Sequence, residues 1–278
     1  MSTVHTQLSP STPWARQPTI YLPHGGGPWP FVAMGLPPHE VQALRQWLAD
    51  LPVRLPAPPR AVLVVSAHWE APRPTLQTAE KPSLLFDYYG FPPASYALRW
   101  DAPGAPALAE RVRGLLQSAG IATDTDDARG FDHGTFIPLK VAWPEAQVPT
   151  LQLSLIAGLD PAAHLAMGRA LAPLRDEGVL IIGSGMSTHN MRAFGDPRFI
   201  PAAARFDAWV GTACSAPPAD RDAALCAWAM APDARANHPR EEHLLPLMVA
   251  AGAARSDPGR TDWQGSFMGL PLRAVWFG

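Results

Sequence analysis

The chain has 278 residues, a formal charge of −2 and 47% hydrophobic residues, which is typical of an ordinary globular protein. The balanced charge excludes an extended nucleic-acid interface, and no apolar run approaches the roughly 20 residues that span a bilayer. The polar N-terminus lacks the apolar core of a secretory signal, and Cys214 and Cys226 are too few for a disulfide framework or a zinc ribbon. We therefore expect a cytoplasmic protein with no nucleic-acid partner and no membrane association. The composition does not determine whether the protein forms a homo-oligomer.

The first predicted elements form a βαβ unit. Residues 19–22 are a short apolar strand followed by His24 and three glycines, and residues 37–51 have the apolar spacing of an amphipathic helix. Residues 61–70 contain a Leu/Val run that is typical of a strand buried on both faces, and its polar end carries His68. Parallel strands joined by a helix end at the same edge of the sheet, where ligands bind in open α/β folds. We therefore expect His24 and His68 to meet at that edge.

Strands and helices alternate along the rest of the chain. Further strands are predicted at residues 74–80, 149–155, 179–182 and 267–277, and helices at residues 106–120, 161–177, 199–213 and 219–231. A last helix is predicted from about residue 237, with a bend at Pro246, which lacks a backbone N–H. This order predicts a single α/β domain over residues 18–278, with six or seven strands in a mostly parallel or mixed central sheet and helices on both faces. Residues 1–17 are expected to form a flexible tail.

Five of the nine histidines lie at strand ends or in glycine-containing segments, namely His24, His68, His133, His189 and His243. A single histidine of this kind could simply form hydrogen bonds within a loop, but the arrangement recurs along the chain. Neutral imidazole binds zinc and iron, and three ligands that leave open positions are typical of non-heme Fe(II) in oxygen chemistry. Because the chain has no CxxC or HExxH motif, the ligands would come from distant segments, and spacing alone indicates a metal site without choosing among the histidines.

Six motifs occur in order along residues 18–278: HGGGPWPF, SAHWE, LLFDYYGFPP, GFDHGTFIPLK, GSGMSTHN and HPREEHLLPL. Together they closely resemble the extradiol ring-cleaving dioxygenases of the DOPA 4,5-dioxygenase type, which are related to the β subunit of protocatechuate 4,5-dioxygenase. The resemblance implies that His24, His68 and His243 bind one divalent metal ion, with Glu242 as a rival third ligand because the wider family uses a carboxylate there. It also implies two catalytic histidines. His133 corresponds to the active-site histidine of the DHGT motif, and His189 to either an acid/base group or a fourth metal ligand.

The activity implied by the resemblance is the opening of a catechol ring by O₂. The catechol would bind Fe(II) through both oxygens, and histidine would transfer protons near its usual pKa of about 6.5. The same ligands bind Zn(II), which could occupy the purified protein. Flat apolar walls are expected around the ring, and the candidates are Trp29, Trp69, Tyr88, Tyr89 and Phe91. No motif contains a convincing anion site, so we expect tolerance among substituted catechols.

Two other functions fit part of the pattern. A zinc hydrolase on a similar α/β scaffold would activate a metal-bound water, with Glu242 or His189 as the base. Oxygen uptake with a catechol and Fe(II) distinguishes the dioxygenase from this hydrolase. A non-enzymatic relative would keep the fold without the metal, but the presence of all five histidines argues against it.

Overall fold

A mixed sheet of eight strands lies at the centre of the computed structural model, which describes residues 14–278. The strands are β1 (Thr19–Pro23), β2 (Ala61–Ala71), β3 (Thr75–Gln77), β4 (Asp124–Asp126), β5 (Thr150–Ile156), β6 (Val179–Gly185), β7 (Gly259–Phe267) and β8 (Leu270–Phe277). Their order across the sheet is β4-β3-β5-β2-β6-β1-β8-β7. Strands β5, β2, β6 and β1 are parallel, whereas β3 and β8 run antiparallel to the inner strands that they join. The predicted α/β fold with a mixed central sheet is confirmed.

Helices cover both faces of the sheet. Within residues 14–278 they are α1 (Pro38–Ala49), α2 (Leu51–Arg54), α3 (Pro106–Ser118), α4 (His133–Ala142), α5 (Pro161–Leu171), α6 (Ile200–Ser215), α7 (Pro218–Cys226), α8 (Ala234–Asn237) and α9 (Leu245–Ala254). Helices α3, α5, α6 and α9 contribute to the hydrophobic core on one face, and α1 and α4 to the core on the other.

Strand β2 connects these two cores, which explains its continuous apolar run. Leu63 and Val65 belong to the core that contains α5 and α9, whereas Val62 and Val64 belong to the core that contains α1 and α4. Because successive side chains of a strand point to opposite faces, an apolar residue is needed at every position when both faces are covered. The sequence pattern therefore identified the middle of the sheet correctly.

The last predicted helix is wrong in its start and its bend. Helix α9 begins at Leu245, and the segment before it, including His243, forms turns. Pro246 thus lies in the first helical turn, where the N–H that it lacks would have no partner within the helix. No bend at Pro246 is needed, and His243 is supplied by the segment preceding the helix.

The sequence did not predict the strands β4 and β7 or the helices α2, α4 and α8, so the sheet has eight strands rather than the expected six or seven. Helix α4 begins at His133 after Asp132, whose side chain caps it by accepting from the backbone N–H of Thr135. Almost all of this helix is buried, which hides the apolar periodicity on which a helix prediction depends. Strand β7 is an edge strand of mostly polar, partly exposed residues, so the predicted final strand is only the second half of a hairpin.

The predicted tail lies mostly outside the described residues. Of its described part, Gln17 donates its backbone N–H to the carbonyl of Arg175 at 3.0 Å. The Arg16 guanidinium lies 3.0 Å from the Asp176 carboxylate and 3.1 Å from that of Asp257. These contacts attach the end of the tail to the domain, and the domain boundary at residue 18 stays a prediction.

Both cysteines are free thiols, Cys214 being buried and Cys226 exposed. Among residues 14–278, none of the helices combines the length and the apolar character that crossing a membrane requires.

Candidate active site

One cavity of about 530 Å³ at the carboxyl ends of β1, β2 and β6 brings together all five histidines that the sequence selected, His24, His68, His133, His189 and His243. The ring centroid of His24 lies 4.9 Å from that of His68 and 5.2 Å from that of His243, and the last two are 4.8 Å apart. The ring of His133 lies 3.9 Å from that of His68, and the ring of His189 stacks on that of His243 at 3.4 Å. Residues separated by up to 219 positions in the sequence therefore share one site.

Local backbone features direct the first two of these histidines into the cavity. His24 directly follows β1, and its backbone N–H donates to the carbonyl of Gly185 at 3.2 Å. His68 lies in the last part of β2, where the pairing with β5 shifts register between Val65 and Glu70. Such an irregularity locally changes the direction in which side chains point. His68 is therefore placed by a distortion at the end of an otherwise regular strand.

The backbone of His243 lies directly on β6, and a glycine allows this close approach. A Cβ added to Gly185 would lie 2.1 Å from the His243 carbonyl oxygen, which is too close for any side chain. The hydroxyl of Tyr21 donates to the same carbonyl at 2.7 Å. The glycine at the end of the GSG segment of β6 thus allows the segment that carries His243 to pack directly on the strand.

The outer nitrogens of His24 and His243 are held by hydrogen bonds. Ser184 donates its hydroxyl to the carbonyl of Gly134, so it accepts from Nδ1–H of His24, at 3.0 Å. Glu242 Oε1 accepts from Nδ1–H of His243 at 2.9 Å. With a proton on Nδ1, each ring keeps the lone pair of Nε2. This is the arrangement in which a second group fixes the tautomer of a metal-binding histidine.

Asp87 is the functional residue that sequence reasoning missed. Its Oδ1 accepts from both the backbone N–H of His133 at 2.9 Å and Nδ1–H of the same residue at 2.8 Å, and its Oδ2 lies 3.5 Å from Nδ1 of His68. Burial alone would raise the pKa of Asp87, but the bonds and charges of His133 outweigh it and lower the pKa. Asp132, the carboxylate next to His133 in sequence, instead caps α4 and accepts from Ser66. The signal was the single acidic residue in LLFDYYGFPP.

Three of the imidazoles are neutral at pH 7. Burial, followed by the neighbouring histidines, lowers the pKa of His24 and His243 well below the usual value of 6.5. Burial also lowers the pKa of His68 to about 3. A neutral imidazole has one nitrogen with a free lone pair, and that lone pair can bind a cation.

The donor set fits a divalent metal ion. Nε2 of His24 and Nε2 of His68 lie 3.1 Å apart, and Asp87 Oδ2, at 3.5 Å from Nδ1 of His68, favours the proton of that ring on Nδ1, which leaves a lone pair on each Nε2. Two lone pairs in this position repel each other unless a cation lies between them, and two nitrogens bound at about 2.0–2.1 Å to one ion are themselves about 3 Å apart. The possible ligand atoms form two separate groups, each within 4.8 Å: one of His24, His68 and His133, and one of His189, Glu242 and His243.

Of the five predicted wall residues, Tyr89, Phe91 and Tyr88 line the cavity. The most buried of the three is Tyr88. Its hydroxyl donates to the carbonyl of Ser95 at 2.7 Å, and burial raises its pKa to about 12. Trp29 lies outside the wall, because its ring is buried against Gly25 and Phe267. Trp69 also lies outside, with the Arg129 guanidinium 4.5 Å from its ring centroid. As the residue after His68 in a strand, Trp69 points away from the side that His68 occupies.

Much of the remaining wall comes from apolar residues that the sequence did not single out, namely Met34, Met186, Met191, Phe194, Phe267 and Met268. Most of them lie in loops or at a hairpin turn, where no periodicity applies. Only their position in the folded chain shows their relation to the histidines.

Comparisons with known proteins agree with this geometry. Residues 19–269 match the family described as the catalytic LigB subunit of aromatic ring-opening dioxygenase. The 4,5-DOPA dioxygenase extradiol of Beta vulgaris is 37% identical over 259 residues, which cover 90% of this chain and 93% of that protein. The protein of the same name from Escherichia coli (strain K12) is 35% identical over 241 residues, with coverage of 86% and 85%.

A solved structure is also similar. The crystal structure of an uncharacterized protein from Escherichia coli K12 superimposes with a TM-score of 0.77 at 30% sequence identity, covering 95% of this chain and all of the other, 100%. The family match spans most of the domain, and the curated relatives match over most of their own length. The chain therefore belongs to the family of catalytic LigB subunits of aromatic ring-opening dioxygenases, within the class III extradiol enzymes, and it is a ring-cleaving dioxygenase.

Proposed function

We propose that this dioxygenase opens the ring of a catechol with O₂, and that one divalent metal ion, Fe(II) in the active enzyme, is held by His24, His68 and His243. The observation that supports this most directly is the pair of Nε2 atoms of His24 and His68, 3.1 Å apart and both neutral. A cation is the group that makes this arrangement favourable. The names of the relatives, which refer to the extradiol opening of DOPA, support a catechol substrate.

We assign the third ligand position to His243 because its environment matches that of His24. Each ring donates Nδ1–H to a fixed oxygen, that of Glu242 or of Ser184, and keeps its Nε2 lone pair. Glu242 is then the hydrogen-bond partner of the ligand His243 and is not itself a ligand. Its carboxylate already accepts from His243 and lies 3.5 Å from Nδ1 of His189 and 3.4 Å from the Arg240 guanidinium. A carboxylate with these partners is poorly placed to bind the ion as well.

The bound ion would supply positive charge, which favours the deprotonated catechol, together with the ability of Fe(II) to react with O₂. Proton transfer falls to the two remaining histidines, since imidazole accepts and returns protons near neutral pH. Asp87 fixes Nδ1 of His133, which leaves Nε2 of that ring to take a phenolic proton. His189 stacks on His243 and is oriented by Glu242, so it is placed on the other side of the site to return a proton.

The aromatic wall orients the ring between these groups. Tyr88 and Phe91 are in contact edge to face at 5.5 Å, and Tyr88 also lies edge-on to His133 at 5.8 Å. An aromatic contact adds about 0.5–1.5 kcal/mol beyond burial, which is enough to select the orientation of a flat ring.

The test is oxygen uptake by protein loaded anaerobically with Fe(II) or with Zn(II). With a panel of catechols, we expect the Fe(II) form to consume one O₂ per catechol and to release a yellow ring-opened product, and the Zn(II) form to consume none. Absence of oxygen uptake by the Fe(II) form with every catechol would overturn the proposal. Ester hydrolysis by the Zn(II) form under those conditions would favour the hydrolase instead.

A further inference from the structure

The cavity is lined by the histidines and by apolar side chains next to them. Beyond the histidines, six side chains form what we call the apolar chamber: Met34, Tyr88, Phe91, Phe194, Phe267 and Met268. Among the described residues, Asp87 is the one charged side chain that lines the cavity, and it is bound to His133. No lysine or arginine of residues 14–278 lines it. An anion placed among these apolar side chains would therefore lose water without meeting a lysine or arginine, which is unfavourable.

The chamber wall is fixed by hydrogen bonds from two other elements. Glu40, a buried residue of α1, accepts from the hydroxyl of Ser266 at 2.7 Å and from the backbone N–H of Gly269 at 3.0 Å. The carbonyl of Met268 accepts from the backbone N–H of Gly195 at 2.9 Å. The turn of the β7–β8 hairpin, with Phe267 and Met268, is thus held from both sides. A preorganised wall of this kind can discriminate between substituents.

Two arginines lie in a different cavity that also borders His189. Arg192 and Arg240 line an adjoining cavity of about 440 Å³ on the other side of His189. Arg240 is engaged by the Glu70 carboxylate through two hydrogen bonds, at 2.5 and 2.6 Å. A carboxylate on a ring bound at the histidines would have to leave the chamber to reach either guanidinium.

We propose that the apolar chamber selects catechols whose ring substituent is apolar, such as an alkyl group, over catechols with a carboxylate or a zwitterionic side chain. The inference rests on the proposed function, because it requires a catechol bound at the histidines. Each methylene that becomes buried should raise kcat/KM about fourfold. The flexible side chains of Met34 and Met268 can adapt to substituents of different shapes.

Met268 also limits the length of the substituent. It lines a second apolar cavity of about 340 Å³, which is formed together with Leu36, Pro37, Pro197 and Ile200. The same side chain thus belongs to both cavities, and its truncation would join them. Met268→Ala should therefore extend the chamber toward the surface.

The experiment compares kcat/KM for unsubstituted catechol, an isopentyl-substituted catechol and a catechol with a carboxyethyl group, which has nearly the same shape. We expect the alkyl substrate to exceed unsubstituted catechol at least about tenfold, and the acid to fall below it. Equal values, or a preference for the acid, would overturn the inference while leaving the proposed function intact. Failure of every catechol would overturn the proposed function itself.

Variants give a second, independent comparison of substrate ratios within one protein. Met268→Ala should raise the ratio of an octyl-substituted to an isopentyl-substituted catechol, and Met268→Lys should raise the ratio of the acid to the alkyl substrate. Met230→Ala removes a methionine that is 87% exposed and outside the cavity, so it should leave both ratios at the wild-type value. If Met268→Lys does not move the acid-to-alkyl ratio, Met268 does not contact the substituent and the inference fails.

Discussion

Two clusters of basic side chains lie at opposite edges of the sheet. The side chains of one cluster are paired with acceptors, whereas those of the other lack a partner at the centre. At the amino edge, Arg16, Arg54, Arg175 and Arg260 surround a cavity of about 480 Å³. There the Arg175 guanidinium lies 2.6 Å from the Asp257 carboxylate, and its other hydrogen bonds go to backbone carbonyls. At the carboxyl edge, His24 and His68 direct lone pairs at each other. A fully paired cluster stabilises the fold, whereas a cluster that lacks a partner at its centre indicates a ligand.

The largest expected effect comes from removing one of the central imidazoles. His68→Ala should lose the metal and at least about a thousandfold in activity, yet fold normally, because the substitution relieves the repulsion between lone pairs. Metal analysis and thermal unfolding of the same sample provide the check. A variant with wild-type metal content would show that His68 is not a ligand.

A substitution in the arginine cluster should lower stability and leave metal binding unchanged. Arg175→Ala leaves the buried carbonyl of Gln17 without its side-chain donor and the Asp257 carboxylate with Arg16 as its remaining guanidinium partner, and should lower the free energy of unfolding by about 2 kcal/mol. The metal affinity of the remaining folded protein should stay at the wild-type value, as measured by competition with a chelator. Arg198→Ala, in an exposed pair with Asp196, serves as the matched control and should change stability little.

A third prediction separates proton transfer from metal binding within the histidine cluster. His189→Gln should lower kcat about a hundredfold and keep the metal content near wild type, because the role proposed for His189 is to transfer a proton. Metal content and single-turnover rates measured on one preparation test this. Stoichiometric loss of the ion would instead make His189 a fourth ligand.

The last prediction concerns the pH dependence of stability in the metal-free protein. The pKa values of His24, His68 and His243 are lowered in the folded state, so the unfolded chain binds more protons below its usual histidine pKa of about 6.5. Stability should thus be fully present above that pH and fall as the pH decreases toward about 3, by up to about 1.4 kcal/mol per pH unit for each histidine. Urea unfolding from pH 7 to pH 4 should show a shallower dependence for His68→Ala. An unchanged slope in that variant would contradict the prediction.

Part of the site could be predicted because local sequence determines where strands end. The apolar runs of β1, β2 and β6 stop at or just before His24, His68 and the GSGMSTHN segment, and parallel strands deliver such ends to one edge. The partners of these histidines could not be predicted in the same way. Asp87 lies 46 residues from His133 in a loop without periodicity, so no local pattern indicates that the two will bond. The role that we assign to each histidine remains a prediction.

The sequence by itself determined the α/β fold, the central position of β2 and the identity of the five clustered histidines, because burial on two faces and strand ends leave local patterns. The tertiary structure alone determined which of the predicted aromatic residues line the cavity, Tyr88, Tyr89 and Phe91 rather than Trp29 and Trp69, and where the segment before α9 lies. It also determined which side chains form the apolar chamber, to which the β7–β8 hairpin contributes Phe267 and Met268. These features depend on contacts between distant segments, such as that of Gly185 with His243, and neighbours in the sequence do not specify them.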